Sequence, residues 1–204
     1  MGDLFDAWLG DDQRRREPFA AAVLQSMRAI SDAGVALFLA CGNRDFLLGD
    51  AFARDAGATL LGAQTVVDIA GTPTLVTHGD EFCTDDAAYQ RFRTWSRHPR
   101  HQRQLLALPY FVRGFIARGL RSRSRSETAR KPASILDVNA KAVEAAFRAH
   151  GVTRIVHGHT HRPARHPCVV DGRACERIVL ADWDDRGHYL SIDDDGVREH
   201  DVNG

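Results

Sequence analysis

The sequence lacks any CxxC pair: its four cysteines, Cys41, Cys83, Cys168 and Cys175, stand far apart. Scattered thiols exclude a zinc-thiolate knuckle or a disulfide framework and point to reduced cysteines. The sequence also lacks any apolar run approaching the roughly 18 residues that a membrane span needs. Its opening, MGDLFDAWLGDD, is acidic and has no basic stretch before an apolar one, so no secretory leader is expected. Net charge is absent too, since 27 Lys and Arg balance 27 Asp and Glu. With 44% hydrophobic residues in 204, the chain suits one compact domain, or one domain with an insertion.

The charge balance hides a strong local asymmetry. Between Arg91 and Lys131, eleven arginines and one lysine stand against a single acid, Glu127. The C-terminal stretch is acidic, with Asp182, Asp184, Asp185, Asp193, Asp194, Asp195, Glu199 and Asp201. A basic segment of this kind suits a phosphorylated substrate, an anionic membrane surface or a nucleic acid. A solvated helical face is the plain alternative.

Along the chain, residues 18–33 form an Ala-rich stretch between Pro18 and Gly34 that predicts a helix. VALFLAC (35–41) predicts a strand buried on both faces. A short helix is expected over 46–56, two strands over 65–79 joined at Gly71-Thr72, and helices broken near Pro99 and Pro109 over 86–131. Residues 140–151 predict a helix closed by glycine, 153–161 a buried strand running into a loop, and 176–183 and 188–193 final strands. Strands alternate with helices early and pair with one another late, an α/β pattern, and the basic segment reads as an inserted helical lid over 87–131.

Three apolar stretches end alike, in glycine surrounded by polar residues: Gly42-Asn43-Arg44-Asp45, His78-Gly79-Asp80 and His157-Gly158-His159-Thr160-His161. The opening Gly2-Asp3-Leu4-Phe5-Asp6 has the same glycine-then-carboxylate form. Ligand sites in α/β sheets lie at the carboxyl ends of strands, where glycine permits sharp turns and close approach. Asp, Asn and His together suit a borderline-hard ion such as Mn²⁺, with Fe²⁺ or Zn²⁺ as alternatives. His159 and His161, two apart, share a face at a strand end and can reach adjacent ions, while Asp3 can bridge two ions about 3.5–4 Å apart. His157 has no spacing that singles it out as a ligand and reads as a structural neighbour.

The order GD, GN, HGD, GHTH resembles the calcineurin-like metallophosphoesterases. The wording GDLFDAWLGDD, GNRDFLLG, HGDEFCTDDAAYQRFR, LDVN and HGHTHRPA is similar, within them, to the UDP-2,3-diacylglucosamine hydrolase family. The resemblance implies an αββα sandwich of mixed sheets, formed as one domain over 1–204 with the helical lid inserted and without its N-terminal strands. It implies cleavage of a pyrophosphate to UMP and 2,3-diacylglucosamine 1-phosphate in lipid A biosynthesis, on the cytoplasmic face of the bacterial inner membrane, with two divalent ions, Mn²⁺ foremost. Asp3 then corresponds to the bridging ligand, Asn43, His78 and His159 to the other ligands of the second ion, and His161 to a ligand of the first. Asp3, Asn43, Arg44, His78 and His159 are the implied catalytic set. Asn43, Arg44, Asp86, Ser124, Thr128, Lys131 and His159 match substrate-contacting positions, with Thr128 standing where the family has a polar amide.

The family also opens with a strand ending in Asp-x-His, upstream of the motif that begins this chain. The first ion therefore keeps only Asp3 and His161 here, and impaired activity is expected from these 204 residues. The expected partners are the UDP-linked diacylated glucosamine and an anionic membrane surface, with a monomeric chain. Leu105, Leu108, Val112, Phe115 and Ile116 recur at helical spacing and read as an acyl-chain lining. No nucleic acid is expected, because the basic stretch lacks interleaved aromatics for base stacking. Another nucleotide phosphodiester as substrate, or an inactive remnant, are the rival readings.

Overall fold

The computed structural model describes residues 1–128, 131–132, 135–183 and 187–202, without the side chains of Arg125, Glu127 and Thr128. The fold is α/β with a mixed sheet. The chain forms two compact units.

One unit comprises Met1, Ala63–Asp85 and Asp137–Gly204. It holds β3 (Gln64–Ile69), β4 (Thr72–Thr77), α6 (Ala140–His150), β5 (Arg154–His157), β6 (Ala164–Val170), β7 (Arg173–Val179), β8 (Gly187–Asp193) and β9 (Gly196–Val202). A five-stranded sheet runs in the order β3-β4-β5-β7-β6. The central strands β4, β5 and β7 are parallel, and β3 and β6 are antiparallel edges. Leu75, Phe82, Val143, Ala146, Phe147, Val152, Ile155, Val170 and Cys175 make its apolar core. Parallel strands need cover on both faces, which is why the β5 core residues Ile155 and Val156 follow one another without alternation. Helix α6 starts with the Asn139 side chain accepting from the Lys141 and Ala142 amides and ends at Gly151 in the left-handed region, φ 65°.

The other unit comprises Gly2–Gly62 and Asp86–Leu136. It holds α1 (Pro18–Asp32), β1 (Leu37–Leu39), α2 (Asp50–Ala56), β2 (Ala58–Leu60), α3 (Ala87–Ser96), α4 (Pro99–Leu106) and α5 (Tyr110–Thr128). Phe5, Trp8, Ala20, Leu48, Phe52 and Ala56 form its core, with the Phe5 and Trp8 rings stacked at 4.4 Å. The Asp11 carboxylate accepts from the Gly49, Ala51 and Phe52 amides and opens α2. Prolines 99 and 109 divide the basic helices as expected: α4 begins at Pro99 and α5 directly follows Pro109.

The expectation for VALFLAC is corrected. Strand β1 is three residues long and, among the described residues, pairs only with β2, so Phe38 is 57% exposed rather than buried on both faces. The helix expected from residue 46 begins at Asp50, because residues 46–49 turn under the Asp45 carbonyl. Three strands, β2, β6 and β9, were not legible in the sequence.

Candidate metal centre and substrate-binding residues

The register of the central strands brings two of the candidate donors together. Thr77 of β4 lies opposite His157 of β5 in a parallel pair, and His157 lies opposite Val179 of β7. Residues His78-Gly79 and Gly158-His159 therefore leave the same sheet edge side by side, and the Gly158 amide donates to the His78 carbonyl at 3.0 Å. This brings Nε2 of His78 to 3.1 Å from Nδ1 of His159, with ring centroids 5.0 Å apart. His78 is 4% exposed. Its Nδ1 lies 3.0 Å from the Met1 carbonyl, which only accepts, so the proton sits on Nδ1 and the Nε2 lone pair faces His159.

Nδ1 of His159 donates to this lone pair, which accounts for the 3.1 Å separation, and an ion held by both nitrogens would replace that proton. His161 lies elsewhere in the same loop, with Nδ1 2.8 Å from the Asp182 carboxylate. Among the described residues, no three His, Cys, Asp or Glu side chains cluster closely enough to hold an ion by themselves.

The candidates Asp3 and Asn43 belong to the unit that contains the opening glycine-aspartate motif. Asp3 accepts from the Arg44 amide at 2.8 Å, and its second oxygen lies 3.6 Å from Nε of Arg44. Asn43 occupies the turn between Gly42 and Asp45. A Cβ at Gly42 would overlap the Asp3 carboxylate, so glycine is required there for the close approach. Asp45, fully buried, ties the two motifs together: it accepts from the Gly42 amide at 2.5 Å and the Leu4 amide at 2.8 Å. Burial pushes its carboxyl above the usual range, and the Asp3 charge adds to this against the backbone bonds. Sequence reasoning gives Asp45 no role of its own; a carboxylate three residues after a strand-end glycine was the available signal.

Backbone strain marks the same positions. Asp3 (φ 56°), His159 (φ 67°) and His161 (φ 53°) are non-glycine residues in the left-handed region. Among the described residues, the other two such positions, Ala70 and Asp171, sit in two-residue hairpin turns that require positive φ. Outside turns, strained non-glycine backbone clusters at functional sites.

Of the substrate-contact candidates, Asp86 and Lys131 meet, with Nζ 2.5 Å from Oδ2. Asp86 is 7% exposed and caps α3 through the Tyr89 amide. Arg44 is 44% exposed at its side chain and lies 3.3 Å from Asp6. Ser124 is exposed on α5. The Thr128 side chain lies outside the described residues.

His157, read as a structural neighbour, is fully buried. Its Nδ1 donates to the Gly158 carbonyl at 2.9 Å, and its Nε2 accepts from Arg177 at 3.1 Å. Burial holds its pKa down at about 4, the Arg177 charge acts in the same direction, and the Gly158 bond opposes them.

No protein-family model matches the chain. Curated relatives do. A UDP-2,3-diacylglucosamine hydrolase of Pseudomonas aeruginosa is 47% identical over 199 residues, covering 98% of this chain and 82% of the relative. Proteins of the same name from Pseudomonas putida and Nitrosococcus oceani are each 46% identical over 198 residues, covering 97% of this chain and 82% and 78% of the relatives. Identity at this level, over nearly the whole chain, shows that the chain belongs to the UDP-2,3-diacylglucosamine hydrolase family.

Proposed function

We propose that this chain hydrolyses UDP-2,3-diacylglucosamine at its pyrophosphate, giving UMP and 2,3-diacylglucosamine 1-phosphate on the way to lipid A. The observation that carries the chemistry is the His78–His159 pair, two ring nitrogens 3.1 Å apart at the carboxyl edge of parallel strands. The name of the relatives supplies the substrate class.

The donors proposed for two divalent ions, Mn²⁺ foremost, are Asp3, Asn43, His78, His159 and His161. Such ions supply a Lewis acid and a water of lowered pKa. The residues of the chain do the rest. The Met1 carbonyl keeps the His78 Nε2 lone pair available. Arg44, held by Asp3 and Asp6, presents an exposed guanidinium to phosphate oxygens. Lys131, aligned by Asp86, offers a second cation. The leaving group is a phosphate monoester of low basicity and needs no strong general acid, which is consistent with Arg44 standing after Asn43.

A peripheral place on the cytoplasmic face of an anionic membrane is part of the proposal. Phe111 and Phe115, one turn apart on α5, are 75% and 73% exposed in the arginine-rich segment. Apolar anchors beside cations suit a lipid surface. No helix among the described residues is long and apolar enough to cross a membrane.

The test is phosphorus NMR of the purified chain with the acylated substrate, with and without Mn²⁺. The expected result is Mn²⁺-dependent replacement of the pyrophosphate resonances by two monoester resonances, lost in His159→Ala. The turnover expected is slow, and turnover indifferent both to Mn²⁺ and to His159→Ala sinks the reading. Equal turnover of the unacylated UDP-sugar redirects it to a different nucleotide substrate.

A further inference from the structure

We infer that His157 is the positioning residue that makes His78 and His159 converge, acting as a buried imidazole strut between the two loops that carry them. The inference rests on the metal reading above and adds a residue to it.

The ring touches both loops. It packs against the His78-Gly79 turn so closely that a Cβ at Gly79 would stand 2.6 Å from Nδ1. Gly79 adopts φ 104°, and the loop can pass the ring only as glycine. The same Nδ1 donates to the carbonyl of Gly158, the residue that leads into His159. The main chain of His157 is fixed as well, because its carbonyl accepts from the Leu180 amide, just past β7, at 2.8 Å. The Phe82 ring meets the imidazole edge to face at 5.7 Å.

The hydrogen bonds also select one orientation. A guanidinium only donates and a carbonyl only accepts. Nε2 therefore accepts from Arg177 and Nδ1 carries the proton, so the ring can sit in one tautomer and one flip state. A hydrophobic residue of similar volume would fill the space without holding the Gly158 carbonyl or engaging Arg177. That difference separates positioning from packing.

The test compares His157→Phe, His157→Asn and Arg177→Met with the parent chain, using EPR of free Mn²⁺ to measure binding and thermal unfolding to check the fold. Residues supporting metal ligands typically change affinity about 10–100-fold. His157→Phe should fold and lose about that much in the His159-dependent site. His157→Asn, which keeps a donor at the Nδ1 position, should recover part of the loss. Arg177→Met removes the outer partner and should cost less than His157→Phe. Nitrogen NMR of the parent should show His157 protonated at Nδ1 and bare at Nε2; that measurement needs no variant to fold and no metal to bind. Parent-like Mn²⁺ affinity in His157→Phe, or the opposite tautomer, overturns the strut while leaving the metal reading intact. A parent chain that binds no Mn²⁺ overturns both.

Discussion

Lys131 holds its ammonium 2.5 Å from the carboxylate of Asp86, and that same carboxylate caps helix α3 by accepting from the Tyr89 amide at 3.0 Å. The aspartate thus has two separable tasks, aligning a cation and starting a helix. Lys131→Met should raise KM for UDP-2,3-diacylglucosamine by roughly 10–100-fold, the worth of a charge-assisted hydrogen bond, with little change in Tm. Asp86→Ala should raise KM and also cost about 1 kcal/mol in lost capping, or about 2–4 °C in Tm for a chain of this size. Asp86→Asn keeps a capping oxygen and should retain most of that Tm. Steady-state kinetics and calorimetry on the three variants separate the tasks; an unchanged KM in Lys131→Met removes that residue from substrate binding.

The split between what could and could not be read follows from local against long-range information. Prolines 99 and 109 and Gly151 set helix ends through their own backbone preferences, so those boundaries were legible. β6, ARHPCVV, carries Pro167 and no alternation; it is a strand because it pairs with β7 at an edge, where proline is tolerated. β9, GVREHDV, is fixed by pairing with β8. The glycine-flanked candidates could be nominated as motifs, since strand-end glycines announce themselves. The partner that holds each side chain could not. Asp182 beside His161, Asp45 beneath Asp3 and Arg177 behind His157 are 21, 42 and 20 residues away in sequence. No spacing rule reaches that far.

Metal binding should be visible as stability. A ligand that binds only the folded chain adds about 2.7 kcal/mol at one hundred times its Kd, equivalent to about 5–10 °C in Tm here. Mn²⁺ should raise Tm, EDTA should reverse the rise, and His159→Ala should abolish it. A Tm indifferent to Mn²⁺ and EDTA counts against the donor assignment.

Arg113 and Asp12 provide one pH-dependent contribution. Arg113 is 7% exposed and binds Asp12 through both terminal nitrogens at 2.9 and 2.6 Å. Burial alone would raise the Asp12 pKa, but the Arg113 hydrogen bond and charge outweigh it, and the carboxyl sits below its usual range. The folded pKa is therefore lower than the unfolded one. The pair stabilises fully above the unfolded value of 3.8, and the stabilisation is lost as pH falls through the folded value. Unfolding followed from pH 6 to pH 3 should show a steeper loss of Tm below about pH 4 in the parent than in Asp12→Asn. Parallel curves refute the coupling.

Two glycines with positive φ distinguish strain from collision. Gly71, at φ 70° in the β3–β4 hairpin, has nothing within 4 Å of the place where a methyl would stand, and its amide donates to Asp68. Gly79, at φ 104°, faces the His157 ring at 2.6 Å. Gly71→Ala should cost only the backbone penalty of about 1–2 kcal/mol, because an added methyl meets open space. Gly79→Ala carries that penalty and must also displace the imidazole, so its cost should exceed that of Gly71→Ala by at least about 1 kcal/mol. The same displacement moves the loops that carry His78 and His159. Mn²⁺ affinity should therefore fall in Gly79→Ala and stay unchanged in Gly71→Ala, although both substitutions add one methyl to a left-handed glycine. Equal denaturant midpoints and equal Mn²⁺ affinities for the two variants would show that the ring does not brace the turn.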